Sequence, residues 1–247
     1  LDEIVAAVIG QLKDAGCEPY IVPAMGSHGG ASPEGQTELL GEYGITEAAM
    51  GVPIRASLEV EHIGHTPEGY DGFFACEALA ADAIVPINRV KLHTDFGPPL
   101  GSGLLKMLVV GLGKQVGAET FHRAVSRHGY EPMLRSISRL IREKAPVLFG
   151  VAILEDSSHQ TSDIAVVRVA DMEPREEELI IEAKRLMGYL PESAPLYTDM
   201  TVEGFLGFCA EVRGINGADK SKAIDRAIDM CFLKSVRHQS VDTLSKG

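Results

Sequence analysis

Helix-like and strand-like segments alternate along the 247 residues. That alternation predicts an α/β fold, with a mixed or largely parallel sheet flanked by helices. Two further observations agree. Hydrophobic residues make up 45% and charged residues 23%, enough for a packed core and too apolar for a disordered chain. Short apolar runs also lead into glycine-rich loops that carry histidine, and such loops are where α/β sheets bind ligands.

The elements follow in order. Ile4, Val5, Val8, Ile9 and Leu12 recur at helical spacing, and the helix should stop near Gly16. Tyr20-Ile-Val22 predicts a short buried strand running into Pro23-Ala-Met-Gly-Ser-His-Gly-Gly30. Ser32-Pro33-Glu34 is an N-cap with proline at the first helical position, opening a helix towards Leu40. A β-hairpin is expected over residues 57–75, with alternation through Leu58, Val60 and His62. Residues 83–87 form another strand, followed by a Gly/Pro-rich loop at 88–103 and an apolar segment at 104–112. Helices are expected from Ala118 and over 133–144, and residues 147–154 and 164–169 should pair as strands. Residues 176–187 make an acidic amphipathic helix. A linker at 191–195 then separates an α/β domain (1–195) from a polar, helical tail (196–247).

Charge narrows the partners. Lys+Arg 23 against Asp+Glu 35 leaves −12, which argues against nucleic acid or an anionic membrane. The longest uncharged apolar stretch, 145–154, falls short of the roughly 20 residues a membrane helix needs. Four cysteines (Cys17, Cys76, Cys209, Cys231) never form C-x-x-C and fit reduced thiols of a cytoplasmic protein. Leu1 already lies inside a helical pattern, so the natural chain is expected to begin upstream. Nothing here fixes the oligomeric state, and a homo-oligomer stays open.

Two loops at strand ends carry histidine: Gly26-Ser-His28-Gly-Gly and Arg89-Val-Lys-Leu-His93-Thr-Asp-Phe-Gly. Glycine beside His28 lets backbone approach a ligand, and the helix start at Ser32 can attract an anion. Histidine titrates near neutrality, so His28 and His93 could act as acid and base on opposite sides of one carbon. They could equally be two loop histidines bonded to backbone. Asp95 could orient an imidazole or cap a turn. Lys106 sits in Gly103-Leu-Leu-Lys106-Met-Leu-Val-Val-Gly-Leu-Gly113. It either snorkels or is poorly hydrated, and in the second case its amine becomes a nucleophile able to hold a covalent adduct. His122 could ligate nickel, copper or zinc, or simply be a packed or solvated helix residue. His62 and His65, flanking Ile63-Gly64, could share a metal or form an exposed turn pair.

Other motifs fail. The run ending in Lys106 lacks the Gly-Lys-Ser/Thr of a nucleotide P-loop, and Gly111-Leu-Gly-Lys-Gln-Val-Gly117 misses the dinucleotide fingerprint by one residue. H-E-x-x-H and G-x-S-x-G do not occur.

Met25-Gly-Ser-His28, Asn88-Arg-Val-Lys-Leu-His93, Gly101-Ser-Gly-Leu-Leu-Lys106 and His122, in that order, resemble the nickel-dependent lactate racemase (LarA) family. The resemblance covers residues 1 to about 195 and is closest at 20–36 and 84–125. It implies a fold like the N-terminal domain of those racemases. Lys106 would hold a nickel-pincer nucleotide through its amine, His122 would ligate the nickel, and His28 and His93 would be the two acid/base residues. The implied reaction is racemisation or epimerisation of a 2-hydroxy acid, by reversible hydride transfer through a 2-keto acid. The implied partners are the proteins that make the cofactor. Arg89 or Lys91 could hold the substrate carboxylate.

Three departures bear on the substrate. Glycine follows His28 where lactate racemases usually have arginine, Leu92 stands where proline is expected, and the loop between His93 and Lys106 is longer. The family's phosphate-binding loop would precede Leu1, and its second domain has no recognisable counterpart after residue 196. Two other readings remain: a Schiff-base lyase using Lys106 with His93 as proton shuttle, and a non-catalytic homologue that binds cofactor or nucleotide.

Overall fold

In the computed structural model, which describes residues 1–92, 99–156, 159–186 and 200–244, the first helix is α1 (Asp2–Asp14). It buries Val5 and Ile9 in a small cluster with Ile45, Met50 and Val52. The strand expected at residues 20–22 shrinks to one parallel bridge, Ile21 with Ile54. Pro23 and Pro53 flank that bridge, and neither has an N–H with which to continue a ladder. After a 3₁₀ turn at Gly29–Ala31 comes α2 (Pro33–Glu42), whose N-cap Ser32 Oγ accepts from the Gly35 N–H at 3.1 Å. A short α3 (Glu47–Met50), capped by Thr46, completes this part.

Strands β1 (Val60–His65) and β2 (Asp71–Ala75) form the expected antiparallel hairpin, followed by α4 (Cys76–Leu79). The strand expected at 83–87 lies further on, as β3 (Ile87–Arg89). Ile84 makes only an isolated parallel bridge to Val147. Pro86 cannot donate, so the ladder resumes beyond it. The apolar segment 104–112 is helical: α5 (Leu104–Lys106) passes into a π-helical stretch, Met107–Gly111. Next come α6 (Lys114–His128) and α7 (Tyr130–Lys144), both starting a few residues before the apolar pattern does. β4 (Phe149–Glu155), β5 (Thr161–Arg168) and α8 (Met172–Leu186) follow.

The sheet runs β3-β4-β5, with β3 parallel to β4 and β4 antiparallel to β5. It is a mixed sheet with flanking helices, as the sequence predicts. A parallel pair needs a crossover, and α5 to α7 supply it. Leu104, Leu105, Leu108, Phe121, Met133, Leu134 and Ile141 form the heart of a core that also takes in Leu154 of β4 and Leu179 of α8.

An ion cluster binds α7 to α8. Glu173 accepts from Arg139 at 2.6 and 2.9 Å, from Arg135 at 3.3 Å, and from Arg142. Arg135 is also held by Glu131 and Glu177.

The chain divides into two units, Leu1–Gly188 and Tyr189–Gly247. The expected linker at 191–195 lies outside the described residues. In the second unit α9 (Val202–Val212) and α10 (Gly217–Met230) bury Val202, Ala210, Ile224 and Ile228. Among the described residues, no helix is long and apolar enough to cross a membrane.

Candidate functional site

The segment from Gly103 to Lys114 organises the region where the sequence places its candidate residues. Leu104, Leu105, Leu108 and Val109 are buried and anchor it in the core, while Lys106 at the end of α5 is half-buried. The core contacts on either side fix the backbone of Lys106.

The histidine loop docks on this segment. The Gly26 N–H donates to the Gly111 carbonyl at 3.1 Å. Gly111 has no room for a side chain, because a Cβ there would lie 2.6 Å from the Ala24 carbonyl oxygen. Gln36 of α2 donates from Nε2 to the carbonyl oxygens of Gly26 (2.9 Å) and His28 (3.3 Å). The backbone around His28 is therefore fixed, and its imidazole is exposed. Lys114 closes the arrangement: its Nζ donates to the Pro23 carbonyl at 2.6 Å and to Gln36 Oε1 at 3.3 Å. Lys114 is fully buried, and burial pulls its amine down to about 8, partly opposed by the charge of Glu77. Its φ of 54° is one that side chains rarely adopt.

Lys114 is a positioning residue that sequence reasoning overlooked, since a lysine directly after Gly113 reads as surface. Replacing it with alanine leaves the Pro23 carbonyl without its donor and the loop without its tie. Amide hydrogen exchange across residues 24–31 should then speed up about 10- to 100-fold, the equivalent of ~1–3 kcal/mol of lost local stability. Unchanged exchange there would show that Lys114 does not hold the loop.

His93 and Asp95 lie outside the described residues, but the flanks of their loop are clear. Lys91 and Ser102 exchange two backbone hydrogen bonds of 2.8 Å, and Asn88 Nδ2 donates to the Gly103 carbonyl at 2.9 Å. The loop thus starts and ends at the threshold of α5. His122 lies on α6 with its side chain exposed, while the neighbouring Phe121 is buried. Arg89 is engaged already: Nη1 contacts Glu155 Oε1 at 3.2 Å, so it is not a ready carboxylate clamp. Lys91 is exposed.

Glu176 also went unremarked in the sequence. It is fully buried on α8, and its Oε2 accepts from the Leu105 N–H at 3.0 Å. Its Oε1 has no hydrogen-bond partner. Burial raises its carboxyl to about 7, against the opposing backbone N–H groups of Leu105 and Leu104 and the charge of Arg135. A raised carboxyl pKa means that the folded state binds the proton more tightly than the unfolded state does. Its stabilising effect is complete below the ordinary value of 4.5 and is lost as pH rises to about 7. Glu176→Gln should remove a loss of roughly 2–3 kcal/mol across that window. Urea unfolding of parent and variant from pH 4.5 to 8 checks this, and parallel profiles would contradict it.

A cleft of about 320 Å³ lies elsewhere, lined by Gly69, Tyr70, Asp71, Thr120, Arg123, Ser126 and Arg127. Of the described candidates, neither His28, Lys106 nor His122 lines it.

Fold and site together describe an α/β protein in which the His28 loop docks on the glycine-rich helical segment that carries the half-buried Lys106. No known protein-family model matches the chain, and no curated protein does. Among solved structures, the lactate racemase apoprotein from Thermoanaerobacterium thermosaccharolyticum is similar, with a TM-score of 0.51 at 18% identity. The match covers 81% of this chain and 51% of that one, so the chain spans about half the length of that structure. The likeness establishes a distant LarA-like fold.

Proposed function

We propose that this chain carries the racemase-like α/β domain of an isomerase that racemises or epimerises a 2-hydroxy acid. One observation carries the reading. The His28 loop is hydrogen-bonded to Gly111, five residues after Lys106, and α6 with His122 starts three residues later. Three of the residues that the LarA resemblance assigns to one site, His28, Lys106 and His122, are thus borne by segments that meet at this stretch of chain, which supports the reading.

The donor set suits a nickel-pincer nucleotide. Lys106 offers a primary amine in a half-buried position and would carry the tether. His122 offers an exposed imidazole, a ligand suited to nickel. When bound, the cofactor supplies the hydride acceptor that no side chain can provide. The remaining work falls to this chain. His28 would take or return the hydroxyl proton on one face of the substrate, and His93 would do so on the other. An imidazole on each face of the substrate suits a reaction that runs in both directions. This reading places the protein in the cytoplasm, with the cofactor-making proteins as partners.

The test is chiral chromatography on the full-length protein, co-expressed with the nickel-pincer biosynthesis proteins and given single enantiomers of a panel of 2-hydroxy acids. Formation of the opposite enantiomer, with an α-deuterium label retained, supports the proposal. No conversion of any member, while a control racemase from the same cells is active, rejects it.

A further inference from the structure

The hairpin carries a second cluster that the racemase reading does not use. In an unbroken strand, residues three apart point to opposite faces, so His62 and His65 should diverge. They do not. His62 pairs with Phe73, Gly64 with Gly72, and His65 with Asp71, which leaves Ile63 as one extra residue. Such a bulge re-aims the side chains on either side of it. Both histidines therefore share the outer face with Asp71 and Phe73. Gly64 permits the bulge with a φ of 131°, and Gly72 lies so close to α7 that a Cβ there would be 2.6 Å from Leu140 Cδ2. The inner face is pinned against Leu140, and the register cannot slip without a clash.

On the outer face, His62 Nε2 and His65 Nδ1 each lie 3.0 Å from Asp71 Oδ1. The three ligand atoms are within 4.8 Å of one another. Tetrahedral zinc, with bonds of 2.0–2.1 Å, separates its ligand atoms by about 3.3 Å, so small side-chain rotations would close the site. The His62 ring also packs edge-on against Phe73, with centroids 5.5 Å apart, which limits its freedom. All three side chains are exposed, leaving room for water to fill the remaining positions.

We propose that His62, His65 and Asp71 form a surface binding site for a divalent transition-metal ion of the zinc, nickel or copper class. Two neutral imidazoles and one carboxylate favour these borderline ions over magnesium or calcium, which prefer all-oxygen shells. The site is independent of Lys106, His122 and the proposed racemase chemistry.

Metal-free protein should be titrated with Zn(II), and separately with Ni(II), by isothermal calorimetry. Binding at this site should have a Kd on the order of micromolar, expected for a three-ligand, solvent-open site. His65→Gln and Asp71→Asn should each weaken it at least 10-fold, and His159→Gln, at an exposed histidine outside both sites, should leave it unchanged. Because these side chains are exposed, folding is checked by an unaltered melting temperature without metal. In the parent, saturating zinc should raise that temperature, and in His65→Gln it should not. Absence of binding, or binding that survives His65→Gln, overturns the proposal.

Discussion

Replacing Lys106 with alanine is expected to reduce racemisation by at least a thousandfold, to background, in protein co-expressed with the cofactor-making proteins. A reaction that depends on a tethered electron acceptor has no residual route once the tether is gone. Lys106→Arg separates tether from charge. It keeps a cation of similar length, but a guanidinium stays protonated and is not a nucleophile, so it should be as inactive as alanine. Lys106 is only half-buried, so neither variant should cost more than ~1 kcal/mol in urea unfolding. Activity retained by Lys106→Arg would show that the position supplies charge alone.

The largest stability effect is expected at Glu173. Burial would raise its carboxyl, yet Arg139, Arg142 and Arg135 hold it below the ordinary value of 4.5. The carboxylate therefore stabilises the fold above pH 4.5, and the contribution is lost as pH falls through its lowered value. Glu173→Ala leaves Arg142 without its carboxylate at a half-buried position, while exposed Arg139 can turn to water. Arg135 keeps Glu131 and Glu177. The expected cost at pH 7 is ~2–4 kcal/mol, towards the upper range for breaking a partly buried ion pair. The gap from the parent should narrow in acid. A cost below ~0.5 kcal/mol at pH 7, or one independent of pH, would contradict this account.

Much of the fold was legible because local signals and tertiary context agree. Ser32-Pro33 announced α2 by capping chemistry, and the β4–β5 pair followed from two apolar runs. The strand near residue 21 misled because a run of apolar residues says nothing about proline on the partner segment: Pro53 limits pairing as much as Pro23 does. The site was legible only in part. His28, Lys106 and His122 stood out as chemistry-bearing types, whereas Lys114 and Glu176 were hidden by the expectation that lysine and glutamate face water. Glu176 had left a trace. With Met172, Leu179, Ile180 and Ala183 it falls on the buried stripe of α8, so a carboxylate occupies a core position. The sequence offered His62 and His65 as a pair that could share a metal or form an exposed turn pair, but their shared face rests on a one-residue bulge that spacing does not reveal.

The central claim is that Lys106 holds a nucleotide-derived cofactor, and intact mass spectrometry tests it most directly. The full-length protein and its Lys106→Ala variant would each be co-expressed with nickel-pincer biosynthesis and weighed. A nucleotide-sized increase in the parent, absent from the variant, is the predicted result. An unmodified parent beside a modified control racemase from the same cells would contradict it.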